Sequence, residues 1–115
     1  MGRESLPVVK GMLDPLVLRA SSRAPMHGFE ITEWIETRSG GTLQLEEAAV
    51  YQSLYRLEAR GLISAEWNVT SNNRRARYYH ITRRGREVLR AETQSWIRSA
   101  KAVTAVLTGP LMGDR

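Results

Sequence analysis

The chain has 115 residues, 42% hydrophobic and 25% charged, the makeup of one globular domain rather than a disordered segment. It holds no cysteine, which excludes disulfide frameworks, thiolate metal sites and cysteine nucleophiles. Seventeen Lys+Arg against twelve Asp+Glu give a net charge of +5. Fifteen of those seventeen cations are arginine, so an anionic partner is expected.

No apolar run approaches the ~20 residues of a membrane span. Glu4, Lys10 and Asp14 interrupt residues 1–24, which read as lacking the apolar stretch of a signal peptide. Met1-Gly2 is followed by Leu6 where a myristoylation signal wants Ser or Thr. Asn68-Val69-Thr70 matches a glycosylation sequon and, without a secretory signal, is read as chance. A cytoplasmic, nucleoid-associated protein with no membrane partner is expected. Residues 1–5 and 109–115 are expected to be flexible ends.

Asp14-Pro15 reads as a helix N-cap followed by proline at the first helical position, with Leu16, Leu18 and Ala20 continuing to about Ser22. A start nearer Leu6 with a kink at Pro15 is the alternative, which Gly11 disfavours. After Arg23-Ala24-Pro25, a second helix is predicted from His27 to Arg38, carrying Phe29, Ile31, Trp34 and Ile35 and stopped by Ser39-Gly40-Gly41. Thr42–Leu45 fits a very short strand. Glu46-Glu47 places acid in the first turn of a third helix that runs to Arg60 and ends at Gly61. Leu62–Val69 alternates apolar and polar residues, and Tyr78–Thr82 is a second β-rich run. The polar stretch Thr70–Arg77 joins them as a basic hairpin tip. A last helix runs from Arg83 to Leu107, closed by Gly109-Pro110. The fold class is thus mostly α with a small β-hairpin. Residues 6–82 hold the elements of a winged helix-turn-helix, and 83–108 form a long C-terminal helix.

Only His27 and His80 could serve as imidazole ligands, so no metal is expected. No Ser/His/acid order, phosphate loop, HExxH pattern or carboxylate pair stands out. Neither an enzyme nor a cofactor is expected.

Several stretches occur in a characteristic order: Gly11-Met12-Leu13-Asp14, Met26-His27-Gly28-Phe29-Glu30-Ile31, Val50–Glu58, Gly61-Leu62-Ile63 and Arg75–Gly85. In this order and spacing the sequence resembles the PadR family of bacterial transcriptional regulators across about residues 11–107. The resemblance implies a winged-helix DNA-binding domain, a C-terminal dimerisation helix, and homodimers that repress by covering operator DNA. The chain is similar to the short subclass with a single C-terminal helix. It departs from the pattern at Phe29, where Tyr is common, at Gln52, where Pro is common, and at Pro15, where an aliphatic is common.

On a helical projection Val50, Leu54 and Leu57 share an inward face. Gln52, Tyr55 and Arg56 point away, and Tyr51 and Glu58 lie toward one flank. Gln52 suits adenine, Arg56 guanine or phosphate, and the hydroxyls of Tyr51 and Tyr55 suit phosphates. Tyr55 has packing on Tyr78 or Tyr79 as its alternative. Residues 70–86 contain Arg74, Arg75, Arg77, Arg83, Arg84 and Arg86 and no acid. Asn73, Arg74 and Arg75 are expected over the backbone or minor groove, and Arg77 either joins them or supports the strand. Arg83 and Arg84 imply a bound anion or a place just before the helix, because cations disfavour a helix N-terminus. His27 and Gly28 could hold a phosphate on free N–H groups, or His27 could simply cap its helix.

On the last helix Leu89, Trp96, Ala100, Val103 and Leu107 form an apolar stripe, with Ile97 and Val106 beside it. A partner subunit would bury that stripe along its whole length, and two-fold pairing would set two recognition helices ~34 Å apart on a palindromic operator. Trp96 is either a dimer-core aromatic or, as the resemblance implies, one wall of a pocket for a planar aromatic effector. The alternative function is a winged-helix module that binds protein or RNA instead of duplex DNA.

Overall fold

The computed structural model describes residues 6–111. Of the flexible ends expected at 1–5 and 109–115, residues 1–5 and 112–115 lie outside the described residues. The element order is β1 (Leu6–Pro7), α1 (Leu13–Ser21), α2 (Gly28–Arg38), β2 (Leu43–Gln44), α3 (Glu47–Ala59), β3 (Ile63–Val69), β4 (Arg75–Ile81) and α4 (Arg83–Thr108). This is the expected arrangement of helices, hairpin and long terminal helix.

Two boundaries differ from expectation. α1 starts at Leu13 with Met12 as its N-cap, so Pro15 is the third helical residue rather than the first. Proline is tolerated there because the first four N–H groups of a helix have no intrahelical acceptor. Asp14 is therefore not the cap, and its carboxylate is free to face α3. The second hairpin strand also starts earlier than expected: pairing from Ile63↔Ile81 to Val69↔Arg75 brings Arg75, Ala76 and Arg77 into it. The tip shrinks to Thr70–Arg74, in which Asn73 sits at φ 62° and donates its N–H to the Thr70 carbonyl at 2.9 Å. A tight turn followed by one left-handed residue matches the strand twist, and Asn tolerates that conformation. β1, which the apolar pattern does not reveal, pairs parallel with β2 through Leu6↔Leu43.

The core joins Val17, Leu18 and Ala20 of α1 to Ile31 and Ile35 of α2 and to Val50, Leu54 and Leu57 of α3. Leu62, Ile63, Tyr79 and Ile81 close it from the hairpin side. Phe29 lies outside this core at 60% exposure. It stands two residues from Ile31, about 200° around the helix at 3.6 residues per turn. Trp34 is only partly buried, with the guanidiniums of Arg23 and Arg38 over its ring at 5.0 and 5.7 Å.

α4 has two parts with different surroundings. Thr82 caps it by accepting the Gly85 N–H at 3.0 Å. Gly85 is buried where any β-carbon would collide with the Leu62 carbonyl oxygen, so the start of α4 meets the segment just before β3 at backbone contact. Val88 and Leu89 then pack on the core. Beyond them the apolar residues face outward, with Val103 56%, Val106 80% and Leu107 77% exposed. At 1.5 Å per residue the helix spans ~39 Å, and it draws the molecule out to 63 × 39 × 20 Å.

Candidate nucleic-acid interface

The exposed side of α3 carries Tyr51, Gln52, Tyr55 and Arg56, which together line one shallow concavity. The inward side is fixed by Val50, Leu54 and Leu57, and Ser53 is also fully buried. Tyr55 is 77% exposed, so the alternative of packing on Tyr78 or Tyr79 is not realised. Tyr51 is held differently. Its ring lies on Gly28, where a β-carbon would come within 2.6 Å of the phenol. Gly28 is thus the seat on which α2 receives the tyrosine of α3.

His27 caps α2 through its own imidazole. Nδ1 accepts the Glu30 N–H at 3.3 Å, and Glu30 Oε1 accepts the His27 N–H at 3.1 Å. This reciprocal box satisfies two donors and places a carboxylate in the first turn, where the helix dipole favours it. The ring also meets Tyr78 edge-on at 5.3 Å. His27 therefore has a structural task, and the backbone N–H groups of Gly28 and Phe29 are the donors this cap leaves unengaged.

Two arginines of the expected contact set are tied to carboxylates. Arg56 donates from Nη2 to Asp14 Oδ1 at 2.7 Å and from Nε to Oδ2 at 3.4 Å. The same Asp14 oxygen accepts the Ser53 hydroxyl at 2.6 Å. Asp14 thereby joins α1 to α3 and turns Arg56 toward the scaffold. Its carboxylate raises the Arg56 pKa, first by hydrogen bonding and then by charge. Arg77 donates from Nη2 and Nη1 to the two oxygens of Glu58 at 2.7 and 3.1 Å, a two-pronged clasp between β4 and the end of α3. Its guanidinium also lies 5.7 Å from the Tyr79 ring centre. The clasp raises the Arg77 pKa, and burial raises that of the Tyr79 hydroxyl. These ties escape sequence reading because Asp14 and Arg56, or Glu58 and Arg77, are far apart in the chain and nothing local marks them.

The hairpin tip remains free. Thr70 Oγ1 accepts the N–H groups of Asn72 and Arg74 at 3.3 Å each, which fixes the turn. Asn73, Arg74 and Arg75 are exposed on it. Arg83 and Arg84 are the first two residues of α4, so the alternative that they precede the helix does not hold. The first turn of α4 contains no acid.

Trp96 stands apart from this surface. It is 40% exposed at one end of an apolar groove of about 400 Å³ between α1, α4 and the segment before α1. Val9, Met12, Leu16 and Leu89 line the groove. No helix among the described residues is long and apolar enough to cross a membrane.

Residues 17–91 match the PadR-like family of transcriptional regulators. A PadR-like transcriptional regulator from Bacillus cereus is 28% identical at a TM-score of 0.73, covering 88% of this chain and 96% of that one. A PadR family regulator from Clostridium difficile is 26% identical at 0.71, over 84% of this chain and 99% of that one. A Streptococcus mutans structure aligns over 95% of this chain and 98% of its own, at 25% identity and a TM-score of 0.78. An uncharacterised protein of Lysinibacillus sphaericus is 28% identical over 102 residues, 89% of this chain and 94% of that protein. Family match, winged-helix fold and the arginine-bearing hairpin beside an exposed helix face agree: the chain belongs to the PadR-like family of DNA-binding transcriptional regulators.

Proposed function

We propose that the protein is a homodimeric repressor that covers a palindromic operator and is released by a planar aromatic effector. Residues 6–82 form the DNA-binding unit and residues 83–108 the dimerisation helix. The observation that carries the reading is the pairing of an exposed polar helix face with an arginine-rich hairpin tip, within a stretch, residues 70–86, that holds no acid. Tyr51, Gln52 and Tyr55 of α3 enter the major groove. Gln52 is the base reader, and Tyr51, seated on Gly28, directs its hydroxyl to phosphate. Asn73, Arg74 and Arg75 meet the adjacent backbone, while Arg77 supports the strand and Arg56 reaches DNA only by leaving Asp14. The free N–H groups at the start of α2, beside His27, face a phosphate. Arg83 and Arg84, in an acid-free first turn, add to the same positive field.

The dimer forms along Leu89, Trp96, Ala100, Val103 and Leu107. Exposure of Val103 and Leu107 supports this, since one copy leaves the outer half of that stripe uncovered. The groove beside Trp96 is apolar and large enough for a flat aromatic ligand. The deciding experiment is duplex binding at rising salt. Some six to ten phosphate contacts per dimer lose ~10³–10⁵ in affinity between about 50 and 200 mM salt. A flat response contradicts DNA binding and favours a protein partner. For the effector, planar dyes should quench tryptophan emission in the wild type and not in Trp96→Ala. Identical titrations of the two proteins remove the pocket.

A further inference from the structure

One large aromatic side chain on the hairpin is explained neither by the core nor by the arginine contacts. Trp67 is 58% exposed on β3, and Val69 beside it is 54% exposed. In the antiparallel register Trp67 faces Arg77 and Val69 faces Arg75. Directly paired residues share a face of the sheet, so Trp67, Val69, Arg75 and Arg77 lie on the face that also carries buried Ile63, Tyr79 and Ile81. That face is turned toward α3, as the Arg77–Glu58 clasp shows. Near the base it is core; toward the tip it outruns the core and overhangs the space beside the exposed side of α3.

In that overhang the Arg75 guanidinium sits 4.8 Å from the centre of the Trp67 ring. Such stacking is attractive and holds a long, flexible side chain in one place. Even so, Trp67 remains 58% exposed. We propose that Trp67 and Arg75 act as one contact for the sugar–phosphate backbone of the duplex, the indole resting on deoxyribose and the guanidinium on the neighbouring phosphate. The occupant is argued from charge: residues 70–86 hold six arginines and no acid, so a strongly anionic surface with exposed apolar sugars complements both members of the pair. The indole offers only an apolar face and one N–H donor, so it reads no base edge; the Arg75 guanidinium, which could fork onto guanine, is assigned to the phosphate beside the sugar that its partner contacts. Trp67 thus positions Arg75 and adds an apolar contact of its own.

This inference rests on the duplex-binding reading, and the test separates the two. The full-length protein is labelled with 5-fluorotryptophan, and the Trp67 resonance is assigned by its loss in Trp67→Phe. A mixed-sequence duplex is then titrated in. The Trp67 signal is expected to shift at the concentration at which the duplex binds. Trp67→Ala is expected to bind roughly tenfold more weakly to the operator and to unrelated duplexes alike, with Trp67→Phe in between. A steep salt dependence together with an unmoved Trp67 signal overturns this inference and leaves the proposed function standing. A loss in Trp67→Ala confined to one sequence overturns the backbone assignment. No duplex binding by the wild type overturns both. Trp67 lies outside the core, so the melting temperature of Trp67→Ala should match that of the wild type; the resonance shift in the wild-type chain decides the matter even if it does not.

Discussion

Glu58→Gln tests how firmly the hairpin is tied to the recognition helix. The Glu58 and Arg77 side chains are 34% and 36% exposed and meet through two hydrogen bonds. A fully exposed pair contributes up to ~1 kcal/mol, whereas removing one partner of a buried pair costs ~3–5 kcal/mol. With one-third exposure, and an amide that still accepts one hydrogen bond, the loss should be about 1–2 kcal/mol. Arg77 aggravates it, because its Nε is already buried without a partner. For a domain of this size that lowers the melting temperature by roughly 4–8 °C, measurable by circular dichroism. Arg77→Met keeps the stem over the Tyr79 ring and completes a double-mutant cycle, with an expected coupling above ~0.5 kcal/mol. Duplex affinity should fall with the wing no longer braced. Strictly additive single variants with unchanged melting would refute the claim that this clasp fixes the wing.

Three further outcomes follow from other contacts. Asp14→Asn removes the charge that holds Arg56, so stability should drop by about 1 kcal/mol while the freed guanidinium steepens the duplex salt slope by about one unit per protomer; an unchanged slope would mean Arg56 does not reach phosphate. Gly28→Ala inserts a methyl beneath the Tyr51 ring, so duplex binding should weaken several-fold, by roughly the ~1 kcal/mol of one hydrogen bond, with little loss of fold; wild-type affinity would show that Tyr51 makes no contact. Gln52→Ala should change the preferred operator sequence, compared by binding selection from a random pool, whereas an even loss on all sequences would make Gln52 a backbone contact.

Much of the architecture could be read from the chain because its helices obey simple periodicity. Val50, Leu54 and Leu57 recur at helical spacing and do form the buried face of α3. Gly61 ends that helix at φ +74°, a conformation glycine adopts without cost. Other features depend on tertiary neighbours. Asp14 looked like a cap and became a cross-link, since helix entry is set by three-dimensional packing as much as by the best capping residue. The sequence places the start of β4 at Tyr78 rather than Arg75, because Arg75 and Arg77 have poor strand character alone and gain it from pairing with Val69 and Trp67. The part of the candidate site defined by exposure and charge, on Tyr51, Gln52, Asn73, Arg74 and Arg75, was legible. The part defined by partners was not: Gly28 as a seat for Tyr51, His27 as a cap, and the commitments of Arg56 and Arg77.

The most direct measurement is the slope of log Kd against log salt for a duplex, compared between the wild type and Arg74→Ala/Arg75→Ala. Two arginines in each of two protomers remove four phosphate contacts, so the slope should fall by about 3–4 units, and by the same amount on every sequence. A double variant with the wild-type slope would show that the arginine hairpin does not touch DNA.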